Sequence, residues 1–293
     1  MSLTAFIQIL LLGLALGGIY ALMAIGLSLT FGVMRILNLA HGAFMILAAY
    51  LAFWLFVRYR LDPLLSIPFM MGTLFAIGII LYRILFSRLA GRADYTHLTI
   101  LLTFSLALIL EGLMGYLWTG IYRAANPPYA ARSYSFGPWY IPAGQLYAAL
   151  TSLILLSILW LILYRTRFGR AVRATMQNRI AAQIVGVDVN GVSMITFGLG
   201  LALAGASGSL LSFLFPFFPS RHWQWIAILL ALVVFGGLGS LPGTVMGAFT
   251  LAVISAYATT LAGPTWSSAL FYLALFLTLL VRPQGLLGKG EAP

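Results

Sequence analysis

The chain has 293 residues, of which 62% are hydrophobic and only 7% charged, with a formal net charge of +11. Soluble proteins carry roughly 25% charged residues, so this composition excludes a soluble enzymatic domain and indicates a protein of the lipid bilayer. Cysteine is absent, so no disulfide, zinc or redox chemistry can be inferred from thiols.

Apolar runs near the ~20 residues needed to cross the hydrocarbon core recur along the whole sequence. The first 34 residues carry no charged side chain and lack the basic start of a cleavable signal, so they are expected to form a retained first span. The pattern predicts one all-α polytopic membrane domain over residues 1–293, with eight or nine membrane segments that include broken or half helices. The predicted segments are 4–31, 39–57, 64–86, 98–119, 144–164, 194–215, 225–238, 244–262 and 267–281.

Basic residues are unevenly divided between the loops on the two sides of the predicted membrane. The positive-inside rule makes the richer side cytoplasmic. A nine-span count then places the N-terminus outside, and the aromatic, proline-rich segment 120–142 in an outside loop. Because the arginines lie in short loops between spans, nucleic acid is not an expected partner. The richer side holds Arg35, Arg83, Arg88, Arg92, Arg165, Arg167, Arg170, Arg173, Arg179, Arg282 and Lys289, and the other side holds Arg58, Arg60, Arg123, Arg132 and Arg221.

Small residues recur at helical spacing in two rows, and such rows predict seams where helices pack closely. The motif GASG at residues 205–208 also has the Gly-x-Ser of intramembrane serine proteases. A serine nucleophile needs a base within hydrogen-bond reach, and His222 lies about four helical turns beyond Ser207. Packing is therefore the favoured interpretation. The two rows are Gly13, Gly17 and Ala21, and Gly200, Ala204, Gly208 and Ser212.

Two interior segments, FGVMRILNLAHG (residues 31–42) and FGGLGSLPG (residues 235–243), interrupt the helical pattern. Irregular backbone at membrane depth is tolerated only where it is buried in protein or lines a wet cavity. Similar runs, HGAFMILAAY and PGTVMGAFTL, follow the breaks and suggest an internal repeat that meets at a central path. We expect the breaks to face each other across a substrate path. Its predicted residues are Asn38, His41, Gly42, Gly236, Gly237, Gly239, Pro242 and Gly243.

Two ionisable residues lie inside apolar runs, and the sequence allows more than one role for each. His41 is either a satisfied buried histidine or a pore-lining donor or acceptor, and it is not a metal ligand because His97 and His222 lie in distant loops. Glu111 is a secondary candidate, because an intramembrane carboxyl group usually faces a partner or a cavity. It could be a proton or substrate site, a structural ion pair or a neutral acid.

The segment 165–193 is polar, rich in arginine and flanked by long apolar runs. Its spacing predicts a helix with one polar face and one apolar face. The segment is either an ordinary basic loop that fixes topology or a surface presented to a soluble partner. The polar face holds Arg170, Arg173 and Gln177, and the apolar face holds Ile180, Ile184 and Val187.

Within this segment, Ala181, Ala182 and Gly186 have the spacing of the EAA loop by which bacterial ABC importer permeases dock on their ATPases, with Ile180 in place of the glutamate. GRAVRATMQN resembles the version found in branched-chain amino-acid (LIV-type) permeases. GGIYALMAIGLSLTFGVMRILNLAHGAF, FGGLGSLPGTVMGAF and VRPQGLLG resemble other blocks of that family in the same order, over nearly the whole chain. Ala43 replaces the family's polar residue after the His-Gly pair.

The resemblance implies a multi-pass permease subunit of a bacterial ABC importer in the inner membrane. The implied partners are a second homologous or identical permease subunit, two ATPase subunits and a solute-binding protein. Neither enzyme activity nor a cofactor is expected, because the chain lacks a Gly-x-x-x-x-Gly-Lys-Ser/Thr phosphate loop and the partner subunits would bind ATP. The helix from Arg170 to Gly186 would act as a lever. The expected ATPase contacts are Gly169, Arg170, Arg173, Ala181, Ala182 and Gly186.

The solute is expected to be a branched-chain amino acid, followed by other amino acids, urea or short amides. A secondary transporter or channel that works alone is the alternative. That class predicts paired intramembrane charges, and the sequence offers only Glu111 at depth.

Overall fold

A computed structural model describes residues 2–89 and 94–288, and this part of the chain forms twelve α-helices and one β-hairpin. Arg92 and Lys289, which the charge distribution assigned to the basic side, lie outside the described residues. The helices are α1 (Leu3–Met34), α2 (His41–Tyr59), α3 (Pro63–Leu81), α4 (Ser87–Leu89), α5 (Tyr95–Trp118), α6 (Ala143–Arg165), α7 (Arg167–Gln177), α8 (Arg179–Ile184), α9 (Val189–Leu214), α10 (His222–Gly236), α11 (Leu241–Ala262) and α12 (Pro264–Val281). The strands are β1 (Ser133–Phe136) and β2 (Trp139–Pro142).

Eight spans in the described chain are long and apolar enough to cross a membrane, and one of them, Pro63–Leu89, joins α3 to α4 through a π-helical turn. The ninth predicted segment is α10, which has 15 residues. At a rise of 1.5 Å per residue it is about 22 Å long, too short for a core of about 30 Å. α10 is therefore a half helix. All nine predicted segments coincide with helices, and the predicted all-α polytopic membrane class is confirmed.

The bundle has two different ends. At the hairpin end, defined by β1 and β2, the Gln8 side-chain amide donates to the Tyr140 carbonyl oxygen (2.7 Å) and its oxygen accepts from the Tyr140 N–H (2.9 Å). The opposite, arginine-rich end is defined by residues 165–188, which include α7 and α8. Since α1 begins at the hairpin end, the start of the chain and the arginine-rich segment lie on opposite sides of the bundle.

Close backbone packing holds α1 and α9 at the centre of the bundle. A Cβ atom added at Gly13 would lie 2.9 Å from the Cα atom of Val253 in α11. One added at Gly208 would overlap the Met45 carbonyl oxygen of α2, and one at Gly205 would lie 2.6 Å from the Met70 carbonyl oxygen of α3. The two rows of small residues are therefore packing seams, as predicted. Ser207, in the GASG motif, is buried in this seam and its Oγ has no hydrogen-bond partner.

The β-hairpin lies within residues 120–142, which were predicted only as an outside loop. Ser133 pairs with Pro142 and Phe136 pairs with Trp139, which leaves a loop of two residues. The first of them, Gly137, has φ +62. Glycine at this position is typical of two-residue hairpin turns, so Gly137 is the sequence signal that could have located the hairpin.

Candidate coupling surface and membrane cavity

The arginine-rich segment folds as two short helices, each with its own N-terminal cap. The Thr166 hydroxyl accepts the Gly169 N–H (3.0 Å) at the start of α7, and the Asn178 side-chain oxygen accepts the Ala181 N–H (3.0 Å) at the start of α8. Asn178 itself is extended (φ −155, ψ 109). The prediction of one continuous helix from Arg170 to Gly186 is therefore wrong, because Asn178 ends one helix and caps the next.

A sharp corner joins α6 to α7 and depends on Gly169. A Cβ atom at this position would overlap the carbonyl oxygens of Ile162 and Leu163. Arg173 reinforces the corner, since its guanidinium donates to the Leu163 carbonyl oxygen and lies 4.7 Å from the centroid of the Tyr164 ring. The corner fixes the direction in which α7 leaves the bundle.

The two arginines predicted to share an outward face have different environments. Arg170 is exposed, whereas Arg173 is half-buried and contacts α6. Arg170 is therefore the more accessible of the two, and contact of either with a partner remains a prediction. Gly169 lies at the buried corner and acts through backbone geometry.

α8 presents an exposed apolar ridge formed by Ile180, Ile184 and Val185. These side chains are 70%, 81% and 76% exposed. Ala182 is buried and anchors the helix on its other side, while Ala181 is exposed. Large apolar side chains clustered on a polar surface mark an interaction site, so α8 has the character of a contact surface for another protein.

Gly186 ends this surface and has φ +86, a left-handed conformation that suits glycine. No atom lies within 4 Å of a Cβ atom added there. Glycine is therefore favoured at this position by the backbone conformation of the turn, and not by a lack of space for a side chain. The Asp188 side chain then accepts the Gly191 N–H (3.0 Å) and caps α9. The contact surface is thus linked by a short turn to the central helix of the bundle.

A cavity of about 1000 Å³ lies at the arginine-rich end. The end of α1, the end of α6, the α7–α8 junction and the turn between α10 and α11 form its walls. The second break therefore lines a cavity, which is one of the two environments that tolerate irregular backbone at membrane depth. The lining residues from this break are Leu238, Gly239, Ser240, Leu241 and Pro242.

The second break is a tight turn whose backbone groups are bound by the segment after α12. Gly237 and Gly239 have φ +108 and φ +76. The N–H groups of Leu286 and Leu287 donate to the carbonyl oxygens of Phe235 (2.9 Å) and Gly236 (3.1 Å). The segment VRPQGLLG thus holds the turn between α10 and α11 in place, a role that its sequence did not indicate. Gly236 and Gly243 approach so closely that a Cβ atom on either would overlap the backbone of the other.

Residues 38–42 of the first break are mostly buried in protein, whereas Gly32, Val33 and Arg35 at its beginning line the cavity. The Asn38 side-chain oxygen accepts the Ala40 N–H (3.1 Å), and the Thr103 hydroxyl of α5 donates to the Leu37 carbonyl oxygen (3.2 Å). A ring nitrogen of His41 lies 3.1 Å from the Met23 carbonyl oxygen of α1. These contacts match the first interpretation of His41, a satisfied buried histidine. Thr103 is distant in sequence from the first break, and no sequence pattern indicated that it would bind there.

Residues 38–42 of the first break lie at the start of α10, and the second break lies at the end of this helix. A Cβ atom added at Gly42 would lie 2.8 Å from the carbonyl oxygen of His222, the first residue of α10. Gly237 follows the last residue of α10, about 20 Å away at the helical rise. The beginning of the first break nevertheless contacts the second, since a Cβ atom added at Gly239 would lie 3.2 Å from the Cα atom of Gly32. Their assignment to a solute path remains a prediction.

Glu111 has two hydrogen-bond partners on the start of α10. Its Oε2 lies 3.1 Å from Nε2 of His222 and accepts the indole N–H of Trp223 (2.9 Å). The Glu111 side chain is 26% exposed and that of His222 is fully buried. This contact fits both a structural pair and a proton site, so the role of Glu111 remains open. Trp223 was not predicted as a partner of Glu111, although its position next to His222 in the sequence could have indicated this contact.

Two further polar contacts join distant helices and were missed for lack of a sequence pattern. The Thr244 hydroxyl donates to the Ser28 hydroxyl (2.8 Å), which links α11 to α1 inside the bundle. The Tyr82 hydroxyl donates to the Asn190 side-chain oxygen (2.8 Å) and links the π-helical turn after α3 to the start of α9. Helix α9 is therefore fixed to α3 directly after the coupling segment.

Comparison with known proteins places the chain in a family. Residues 9–280 match the model of the family described as "Branched-chain amino acid transport system / permease component". The chain is 28% identical to a probable branched-chain amino acid transport permease protein, LivH, of Methanocaldococcus jannaschii, over 91% of this chain and 88% of that protein. It is 27% identical to the high-affinity branched-chain amino acid transport system permease protein BraD of Pseudomonas aeruginosa, covering 98% and 97%. It is 25% identical to the high-affinity permease protein LivH of Escherichia coli K12, covering 98% and 96%. The match spans all eight crossing helices, and the chain belongs to the family of permease components of branched-chain amino acid transport systems.

Proposed function

We propose that this permease is one half of the translocation path of an ABC importer that moves branched-chain or other amino acids into the cytoplasm. Its partners would be a second permease subunit, two ATPase subunits and a solute-binding protein, in a bacterial inner membrane. The observation that carries the proposal is the exposed apolar ridge of α8. A large apolar ridge beside an arginine-rich helix fits the contact site of a soluble subunit.

The arginine-rich end would face the cytoplasm, because it holds the larger share of basic residues. ATP-driven closure of the ATPase dimer would then move α7 and α8. Movement of α8 would pass through the Gly186 turn to α9, and movement of α7 would pass through the Gly169 corner to α6. The cavity between these helices would change shape and release solute on the cytoplasmic side.

Uptake by the complete complex tests this function. The permease, reconstituted in proteoliposomes with its ATPase and solute-binding subunits, should accumulate radiolabelled leucine only when ATP is supplied on the ATPase side. Urea and acetamide, offered in the same assay, distinguish the amide-transporting alternative within the family. Leucine uptake without ATP, or none with the complete complex, would contradict the proposal.

One observation favours the alternative of a secondary transporter, namely the contact between Glu111 and His222. Paired ionisable groups at membrane depth are typical of proton-coupled carriers. A pH gradient imposed on vesicles that contain the permease alone distinguishes the two functions. Solute uptake driven by that gradient, and lost in Glu111→Gln, would favour the carrier.

A further inference from the structure

Three separate elements meet at one point of the cavity wall. Gly32 lies near the end of α1, Gly239 lies in the turn between α10 and α11, and Met176 lies near the end of α7. All three residues line the cavity. Since the backbones of the two breaks are in contact at Gly32 and Gly239, helix α7 reaches the place where the two breaks touch.

Met176 fills the space beside Gly32 that a side chain at position 32 would take. A Cβ atom added at Gly32 would overlap the Cε methyl group of Met176 and would lie 3.3 Å from the Gly239 carbonyl oxygen. The methyl group and the second break therefore approach Gly32 from the same side. Met176 is half-buried and packs against the hydrophobic core, whereas the next residue, Gln177, is exposed. An unbranched, flexible side chain suits such an irregular space.

An apolar cleft between α6 and α11 lies beside this point. Its volume is about 120 Å³, and its walls are apolar or aromatic. Because side chains do not fill the space between the two helices, α6 can shift relative to α11 without the overlap that a close-packed interface would impose. The residues that line both the cleft and the cavity are Leu163, Tyr164, Leu241 and Pro242.

Helix α7 is fixed to the end of α6 and would follow such a shift. The Gly169 corner joins the two helices, and the Arg173 guanidinium donates to the Leu163 carbonyl oxygen of α6. At the helical rise, Met176 lies about 10 Å along α7 from Gly169, so a rotation of α7 by roughly 20° would move it by about 3–4 Å. A displacement of that size ends a van der Waals contact. Met176 would then leave Gly32.

We propose that Met176 is the side chain through which α7 controls the contact between the two breaks. When α7 is close to α1, the Met176 methyl group packs beside Gly32 and holds the cavity closed towards the interior of the bundle. When α7 is displaced, Gly32 and Gly239 lose this packing and separate, and the cavity extends between α1 and the turn that follows α10. Met176 is thus a positioning residue of the transport cycle. This inference rests on the proposed function, because ATP-driven movement of α7 belongs to that function.

The accessibility of Val33 tests the contact in the permease alone. Val33 follows Gly32, lines the cavity and is 2% exposed, so Val33→Cys in nanodiscs should react slowly with a small, water-soluble methanethiosulfonate reagent. Met176→Ala should raise the rate roughly tenfold, the factor equivalent to about 1.4 kcal/mol of lost packing, and Met176→Leu should retain the slow rate. Met194→Ala is the matched control, because Met194 is half-buried near the start of α9 and does not line the cavity.

Gly32→Ala provides a compensating change. Alone, its methyl group displaces Met176 and should speed the labelling of Val33→Cys as Met176→Ala does. Combined with Met176→Ala, it occupies the space that the shortened side chain leaves, so the rate should return towards the parental value. Such non-additivity is expected of residues that contact each other. Equal rates for Met176→Ala and Met194→Ala, or additive effects of Gly32→Ala and Met176→Ala, would overturn the proposal.

The complete complex in proteoliposomes shows whether this contact acts in transport. Trapping of the ATPase subunits with ATP and vanadate should change the labelling rate of Val33→Cys. Met176→Ala should lower the amount of radiolabelled leucine taken up per ATP hydrolysed, whereas Met176→Leu and Met194→Ala should keep the parental ratio. A labelling rate that ignores the trapping, or a parental ratio in Met176→Ala, would show that Met176 is static packing. If the parental complex itself lacks ATP-dependent uptake, the proposed function fails instead, and labelling of the permease alone still decides whether Met176 holds the contact.

Discussion

Replacement of Ile184 by serine should weaken ATPase binding without altering the fold of the permease. Ile184 is 81% exposed, so its side chain makes little contact within the permease. Exposed substitutions of this kind usually change stability by less than about 0.5 kcal/mol. The thermal unfolding of Ile184→Ser in detergent should therefore match that of the parental protein.

The magnitude follows from the area that a partner could cover. Complete burial of an isoleucine side chain is worth about 1.5–3 kcal/mol. Since most of the Ile184 side chain is exposed before binding, the substitution should cost roughly 1–2 kcal/mol of association free energy. A change of about 1.4 kcal/mol is tenfold in affinity, so we expect binding that is about 5- to 30-fold weaker.

The measurement is a titration of purified ATPase subunits against the immobilised permease in nanodiscs. Ile121→Ser is the matched control, because Ile121 is 64% exposed and follows α5 at the hairpin end. Parental affinity in Ile184→Ser would refute the assignment of α8 as the contact surface. An equal loss in Ile121→Ser would show that the effect is not local to α8.

Three further changes test the coupling turn, the Glu111 contact and the orientation. Gly186→Val should reduce ATP-dependent uptake, because φ +86 is strained for a β-branched residue by about 1–2 kcal/mol, whereas Gly186→Asn should retain uptake because asparagine tolerates this conformation. Glu111→Leu removes the side chain that contacts the His222 ring and accepts the Trp223 indole N–H, and an unpaired polar group on the buried His222 should cost about 1–3 kcal/mol, so its thermal unfolding should occur at lower temperature than that of Glu111→Gln. Single cysteines at Ser133 and Asn178 should react with an impermeant thiol reagent from the outside and from the cytoplasm, respectively.

Each of these three predictions has a result that would contradict it. Equal uptake by Gly186→Val and Gly186→Asn would show that the turn does not transmit movement. Equal stability of Glu111→Leu and Glu111→Gln would show that the hydrogen bonds of Glu111 contribute nothing measurable. Labelling of Ser133→Cys from the cytoplasm would reverse the orientation. The absence of native cysteine makes these labelling experiments free of background.

The sequence predicted the membrane segments well because crossing a bilayer requires length and apolarity, which are local properties. The interruption between α7 and α8 was missed for a related reason. Helical spacing continues across Asn178, and only its preference for a helix N-cap marks the boundary. Thr166 and Asp188 are caps of the same kind, so the three capping residues could have located both short helices and the start of α9.

The tertiary surroundings of the first break could not be predicted, because some of its backbone groups are bound by residues distant in sequence. Thr103 binds the Leu37 carbonyl oxygen, and Met23 supplies the carbonyl oxygen beside His41. Glycine and proline showed that both segments were irregular. They did not show whether the irregular backbone was bound by protein or lined a cavity, since both solutions satisfy the same requirement. That choice is decided by tertiary contacts.

These contacts indicate where the bundle can move. α9 approaches α1, α2 and α3 at backbone distance, and a Cβ atom at Gly26 would lie 2.7 Å from the Gly200 carbonyl oxygen. Seams of this kind have little freedom to slide, because a small shift brings backbone atoms into overlap. The cleft between α6 and α11 has no such seam along the residues that line it. Rotation of α7 about the Gly169 corner would therefore move α6 away from α11 at the lowest cost, and we expect the cavity at the arginine-rich end to open along this cleft.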